Sequence, residues 1–289
     1  MNIGIVGVGN MGGAMAERLL GLGWPVAVRD VVPEREAALG DLGATVCASP
    51  AALAAACDAV IVAVVDGAQT RRVLFGADGI AAGARRGACV LLCPTIAPAD
   101  TESFAARLAE SGLDCIDAPM SGGPERARAG RISLMVACAD VAFERRRTLL
   151  DALSTQVFRL GARIGDGART KLVNNLLAGI NLAGAAEALA LAERLGLDLG
   201  RTLDVIERSS GQSWIGTDRM RRAVAGDYAP RAHTALLDKD THLALEMAAA
   251  AGQAVPLGSA AAARFATACA EGHALRDDAS LFELARKPR

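Results

Sequence analysis

The chain opens MNIGIVGVGNMGGAMAERLL, and the spacing of its glycines restricts the fold more than any other feature. Residues Asn2–Val6 are apolar and β-branched and predict a strand. The run Gly7 to Gly12 follows it at once and leads into a helical pattern over Gly12–Leu22. In that position each glycine has a physical reason. Gly7 permits a tight turn, Gly9 lets backbone approach a pyrophosphate, and Gly12 lets helix and strand pack closely. The bare helix start then offers N–H groups and a partial positive charge to phosphates. Asp30, at the end of the second predicted strand, stands at about the separation a dinucleotide fingerprint needs. Its carboxylate suits the ribose hydroxyls of NAD and repels a 2′-phosphate, whereas Arg29 beside it suits the phosphate of NADP. NAD is the expected cofactor and NADP the alternative.

The rest of the first half repeats the strand–helix alternation. Strands are expected at Val26–Asp30, Ala59–Val64, Ala88–Leu92, Leu113–Asp117, Ile132–Ala137 and Gln156–Leu160. Helices are expected at Ala68–Leu74, Pro98–Ser111 and Val141–Leu153, so a mostly parallel sheet covered on both faces follows. After about residue 164 the strand pattern ends. Helical patterns follow at 167–194, 200–209, 213–224, 234–252 and 256–271, separated by joints near Gly196, Gly211, Gly226 and Gly252. The expected organisation is an α/β dinucleotide-binding domain over 1–164 and an all-helical domain over 165–289, entered through one long helix at about 167–194.

Composition narrows the function classes. Apolar residues make up 52% of the 289 and charged residues 22%, as a packed core requires. A net charge of −1 with no basic patch argues against nucleic acid or a membrane surface as partner. The longest uncharged apolar run, Leu172–Ala186, is too short to span a bilayer and reads as a buried helix. The N-terminus lacks a basic leader pattern, so a cytoplasmic location is expected. Seven cysteines without CxxC spacing and three scattered histidines read as reduced thiols with no metal site.

Two further stretches carry chemistry. In DAPMSGGPERARAG, from Asp117, Pro119 fixes the chain after a strand, and Ser121, Gly122 and Gly123 supply a hydroxyl and free N–H groups suited to a carboxylate. An ordinary glycine-rich hairpin loop is the competing reading. In ARTKLVNN, from Ala168, Lys171 and Asn175 stand four apart and share one helix face, with Asn174 about a third of a turn away. A lysine desolvated in an apolar cleft has its ammonium form disfavoured, which suits an acid/base at working pH. The competing reading is a solvated lysine at a frayed helix start.

The ordered motifs GVGNMG, CPT at 93–95, DAPMSGG at 117–123, GxxxKLVNN at 167–175 and KDxxLAxxxA at 239–248 resemble the β-hydroxyacid dehydrogenase family over nearly the whole chain. That family includes 3-hydroxyisobutyrate dehydrogenase and tartronate semialdehyde reductase. The resemblance implies an N-terminal Rossmann domain, an interdomain helix, a helical C-terminal domain, and a homodimer or homotetramer. It implies Lys171 as catalytic acid/base with Asn175 orienting lysine and substrate. Ser121, Gly122 and Gly123 would hold the substrate carboxylate, Thr95 would lie near nicotinamide and substrate, and Asp240 would sit at the edge of the site. Gly7, Gly9, Asn10, Met11, Gly12, Asp30, Val65, Thr95 and Lys239 would contact the cofactor. Trp214 falls where the family lines its substrate pocket, although a bare tryptophan is as readily a core residue.

The expected reaction is hydride transfer between a small β-hydroxy acid and NAD. Alternatives are an NADPH-dependent reductase of small aldehyde acids such as glyoxylate, succinic or tartronate semialdehyde, an imine reductase, and a non-catalytic nucleotide-binding module. An imine reductase expects Asp or Tyr in place of Lys171. The decarboxylating 6-phosphogluconate dehydrogenase expects a His-Asn pair and a larger helical domain. Two departures from the family stand out: Arg231-Ala232-His233 where relatives carry a bulky aromatic, and the charged stretch Pro124–Arg128. Arg126 there reads either as a second anion contact on the substrate or as part of a solvated face.

Overall fold

A computed structural model describes residues 1–287, which fall into two compact units, Met1–Lys171 and the residues from Leu172 onward. The first unit holds nine strands: β1 (Ile3–Val6), β2 (Val26–Arg29), β3 (Thr45–Val46), β4 (Ala59–Val62), β5 (Cys89–Leu92), β6 (Asp114–Asp117), β7 (Met120–Ser121), β8 (Ser133–Ala137) and β9 (Gln156–Gly161). Strands β3-β2-β1-β4-β5-β6 lie in that order and pair in parallel, with Ile3 opposite both Val26 and Ala59. Such strands are buried on both faces, and β1, β4 and β5 are accordingly continuous apolar runs with every residue buried.

Eight helices cover this sheet: α1 (Asn10–Gly21), α2 (Pro33–Asp41), α3 (Pro50–Ala56), α4 (Gly67–Phe75), α5 (Ile80–Gly83), α6 (Pro98–Glu110), α7 (Gly123–Arg128) and α8 (Asp140–Leu153). Side chains alternate between two cores, as the pleat demands. Ile61 and Leu91 point to the face covered by Met15 and Leu19, while Val60, Val62 and Val90 point to that covered by Leu53, Leu74 and Phe104.

Sequential order reverses between β1 and β4, so the loops after β1, β2, β4 and β5 gather at one edge of the sheet. In open α/β sheets that switch point is where ligands bind. Beyond β6 the sheet changes sense. β8 runs antiparallel, with Ala137 opposite Asp117 and Ser133 opposite Ser121, and β9 pairs parallel on β8.

In the second unit the helices are α9 (Asp166–Arg194, starting in the first unit), α10 (Leu199–Glu207), α11 (Trp214–Val224), α12 (Thr234–Ala250), α13 (Pro256–Ala268) and α14 (Leu281–Arg286). Leu182, Leu189, Met220, Phe265 and Phe282 centre their core. Gly196, Gly226 and Gly252 take left-handed φ of +73°, +74° and +69° just past helix ends, the conformation that terminates a helix without a Cβ clash. By length and composition α9 is apolar enough to cross a membrane. Its buried positions Leu172, Asn175, Gly179, Leu182, Ala186 and Ala190 recur at three- and four-residue spacing, the stripe of a core helix.

The alternation expected from sequence is present, with several additions. β3 and β7 are two-residue strands too short to leave a periodic signal, and α2, α3, α5 and α7 join the helices expected by position. The expected helix at 256–271 ends as an α-helix at Ala268, before a kink at Gly272 with φ +88°.

Candidate active site

The loop after β1 has the geometry its glycines suggest. Gly7 has φ +89°, and a Cβ on Gly12 would lie 1.9 Å from the Gly7 carbonyl oxygen, so neither position admits a side chain. Gly9 caps α1 without a side-chain hydrogen bond, and the helix start offers the partial positive charge that suits an anion such as a pyrophosphate. This cradle fits a dinucleotide. Asn10 and Met11 open the helix, Asn10 exposed and Met11 packed on the core.

Asp30 is buried, and both its oxygens serve the backbone. Oδ2 accepts from Val8 N–H at 2.6 Å and Oδ1 from Val32 N–H at 3.0 Å, tying the end of β2 to the glycine loop. A carboxylate has about four acceptor sites, so lone pairs remain for ribose hydroxyls. Arg29, the sequence-level argument for NADP, pairs instead with Glu36 at 2.9 Å, and Glu36 also accepts Asp30 N–H at 2.8 Å. The arginine that reaches the loop is Arg35, whose Nη1 would lie 3.4 Å from a Cβ on Gly9. Sequence reasoning passed over Arg35 and Glu36. The available signal was Pro33, which favours a helix start and so puts both in its first turn.

Val65 is exposed after β4 and donates its N–H to Gln69 Oε1 at 3.2 Å. Thr95 is half-buried three residues after β5, past Cys93, whose N–H bonds the Val62 carbonyl at 3.1 Å.

The stretch after Asp117 is not a hairpin loop. Met120 and Ser121 form β7 on β8, and Gly122 and Gly123, with φ of +129° and +78°, turn the chain into α7. Ser121, Gly122 and Gly123 are all half-buried. Of the charged residues that follow, Arg128 pairs with Glu17 on α1, while Arg126 donates to the Arg131 carbonyl at 3.0 Å and to Gln156 at 3.3 Å. These contacts direct both arginines to the unit's own elements.

Lys171 closes the first unit, on the second turn of α9, and is only 7% exposed. The solvated-lysine reading does not describe it. Upstream, Asp117 Oδ2 accepts N–H from Gly165 at 2.9 Å and Ala168 at 3.2 Å, fastening the start of α9 to the end of β6. Burial pushes the Asp117 pKa up to about 6, against the pull of those amides.

A second cluster belongs to the helical unit. Asn175 is 7% exposed, whereas Asn174 lies on the exposed side of α9. Asn175 Nδ2 donates to Asp240 Oδ2 at 2.6 Å, and Lys239 Nζ stands 2.7 Å from Asp240 Oδ1. Because a carboxylate only accepts, the amide nitrogen of Asn175 must face Asp240, which fixes where Oδ1 points. Oδ1 also accepts from Asn174 Nδ2 at 3.0 Å. Gly179, one turn along, makes this contact possible: a Cβ there would lie 2.8 Å from Thr241 Cγ2 on α12. Trp214 begins α11 and is 48% exposed, with the Arg219 guanidinium 5.9 Å from its ring, so it is not a core residue. His233 caps α12, its Nδ1 2.7 Å from the Leu275 carbonyl oxygen.

Comparison with known proteins agrees with this geometry. Residues 2–161 match the profile described as the NAD binding domain of 6-phosphogluconate dehydrogenase. Residues 165–285 match that described as NAD-binding of NADP-dependent 3-hydroxyisobutyrate dehydrogenase. An L-threonate dehydrogenase of Cupriavidus necator is 39% identical over 283 residues, covering 98% of this chain and 95% of the relative. The mitochondrial 3-hydroxyisobutyrate dehydrogenase of Homo sapiens is 32% identical over 292 residues, covering 99% and 87%. The crystal structure of a 3-hydroxyisobutyrate dehydrogenase from Salmonella typhimurium superposes with a TM-score of 0.92 at 36% identity, covering 98% of this chain and 99% of that one. Fold, motifs and relatives agree: the chain belongs to the β-hydroxyacid dehydrogenase family and is an NAD(P)-dependent oxidoreductase.

Proposed function

We propose that this chain oxidises a small hydroxy acid with NAD, that L-threonate heads the substrates to test, and that Lys171 is the general base. The observation that carries the reading is a lysine 7% exposed, one helical turn before an asparagine whose amide is locked by Asp240. Residues 1–164 would form the cofactor-binding domain and 165–289 the helical domain. L-threonate is preferred to 3-hydroxyisobutyrate because the relatives named for it reach 39% identity, against 32% for the human 3-hydroxyisobutyrate dehydrogenase.

In this reading the Ser121 hydroxyl and the N–H groups of Gly122 and Gly123 hold the substrate carboxylate, with Thr95 beside it. Asn175 Oδ1, oriented by Asp240, presents an acceptor to the lysine amine or a substrate hydroxyl. The bound cofactor supplies a hydride acceptor at nicotinamide C4. Lys171 Nζ takes the substrate's hydroxyl proton as a hydride leaves the hydroxyl-bearing carbon of the substrate for that acceptor, and the C–O single bond becomes a carbonyl. Asp30 supports NAD over NADP through its free lone pairs and negative charge.

Val173, Leu177 and Leu191, exposed on α9, support self-association as a dimer or tetramer. All seven cysteines are free, which fits a reducing cytoplasm.

The test pairs NAD and NADP with a panel of three- to five-carbon hydroxy acids on the wild-type chain and Lys171→Ala. The expected result is turnover of L-threonate with NAD, reduced about 10²- to 10⁴-fold by Lys171→Ala with NAD affinity retained. Undiminished turnover in Lys171→Ala would sink the lysine mechanism. A strong preference for NADP would sink the reading of Asp30.

A further inference from the structure

Asp117 is 1% exposed at the end of β6, four residues before Ser121 and fifty-four before Lys171. We propose that Asp117 is a positioning residue: it grips the backbone at the start of α9 and so sets the place of Lys171 relative to the Ser121–Gly123 loop. The proposal rests on the reading of Lys171 as acid/base and goes beyond it, since it assigns a role to a residue outside the proposed substrate and cofactor contacts.

Three features of the contact support it. First, the carboxylate meets several backbone amides of one helix start. Oδ2 receives Gly165 and Ala168, and the Gly167 amide bonds the same carboxylate. Second, the helix is shaped to admit it. A Cβ on Gly167 would lie 2.8 Å from Asp117 Cγ and Oδ1 and 2.9 Å from Oδ2, closer than real Cβ atoms come. Gly167 has no positive φ, so space for this carboxylate is what a side chain there would violate. Third, both arms leading from Asp117 are short and stiff. Towards the loop, the Pro119 carbonyl accepts Met135 N–H at 2.9 Å, and Met120 and Ser121 pair with Leu134 and Ser133. Towards the lysine, one turn of helix separates Gly167 from Lys171, a rise of about 6 Å.

Ordinary helix capping does not account for the arrangement. The first turn of α9 already carries Asp166, which pairs with Arg169 at 3.1 Å and Arg163 at 3.8 Å on the solvent side. A half-buried acid of that kind complements the helix dipole at a smaller cost than a fully buried carboxylate. The buried Asp117 adds a fixed anchor to the sheet, which Asp166, paired with Arg163 and Arg169, does not supply. Its desolvation, visible in a pKa near 6, is the cost of placing it there.

The test compares the full-length wild type with Asp117→Asn, Gly167→Ala, the double variant and Lys171→Ala. It measures kcat and KM for the best acid of the substrate panel, NAD affinity by titration, and Tm. Asp117→Asn keeps the shape but turns one oxygen into a donor that cannot receive an amide N–H. It is expected to lower kcat at least tenfold while NAD affinity stays within about twofold. Gly167→Ala, which drives a methyl into the same contact, is expected to do likewise. Both changes break one contact, so the double variant should be no worse than the poorer single variant.

Wild-type kcat in Asp117→Asn, a lowered Tm with unchanged kcat, or multiplicative losses in the double variant would each overturn the proposal. Should Asp117→Asn fail to fold, Gly167→Ala decides alone, and wild-type kcat there overturns it. If Lys171→Ala keeps full turnover, the lysine mechanism falls and takes this inference with it. If Lys171→Ala is inactive while Asp117→Asn is not impaired, only the positioning role falls.

Discussion

At the end of β2 four charged side chains divide two tasks. Glu36 receives both the Arg29 guanidinium and the Asp30 amide, while the Asp30 carboxylate receives the amides of Val8 and Val32. Arg29 is thus engaged in holding α2 to the strand, and Arg35 is left beside Gly9, where a pyrophosphate would approach. Arg35→Ala should therefore weaken NAD binding about three- to tenfold, on the order of 1 kcal/mol, and NADP at least as much. Arg29→Ala should lower Tm with little change in NAD affinity. Titration of NADH fluorescence on both variants separates the two roles, and a larger binding loss in Arg29→Ala would reverse the assignment.

Asp117 makes a second residue-scale prediction, through linkage. Its folded pKa of about 6 stands above the ordinary carboxylate value of 3.8, so between those values the folded state binds the extra proton. Stability is then lost as pH rises from about 4 to about 6, and the full cost, about 3 kcal/mol, applies above that window. Asp117→Asn lacks this dependence. Wild type should lose stability relative to the variant by an amount of that order between pH 4 and pH 7 in urea denaturation. A difference that is constant with pH would contradict the raised pKa.

At the scale of elements, α9 carries the proposed general base. Its core stripe recurs every three to four residues, and Lys171 and Asn175 occupy two places on that stripe. Burial of Asn175 rather than Asn174 follows from this period: Asn174 lies about 100° round the helix on the exposed side. The spacing was legible in the sequence. The partner was not, because Asp240 lies sixty-five residues away and depends on how closely α12 approaches. Gly179 sets that approach. Gly179→Val would force branched carbons into Thr241, at a cost of about 1–3 kcal/mol from overpacking, well above the small gain in helix propensity. The expected outcome is a Tm several degrees lower and a kcat reduced at least fivefold, as Asn175 and Asp240 separate. Unchanged kinetics would show that the Asn175–Asp240 contact is dispensable.

At the scale of the whole molecule, a single sequence determined the succession of elements. The glycine loop, the βα alternation to about residue 164 and the helical run after it depend on local backbone freedom and on period-2 or period-3.6 burial, which neighbouring residues encode. Short elements escaped because β3 and β7 have two residues each and α7 has six, too few for any period to show. What only the tertiary structure decided is where each polar side chain goes. Arg29 turned to Glu36, Arg35 to the loop, Asp117 to the amides of α9, and Asn175 to Asp240. A buried polar group must find a partner wherever the fold provides one, and several of these partners lie tens of residues away. Local sequence carries no record of such distances, so the sequence could mark candidate polar residues but not their company.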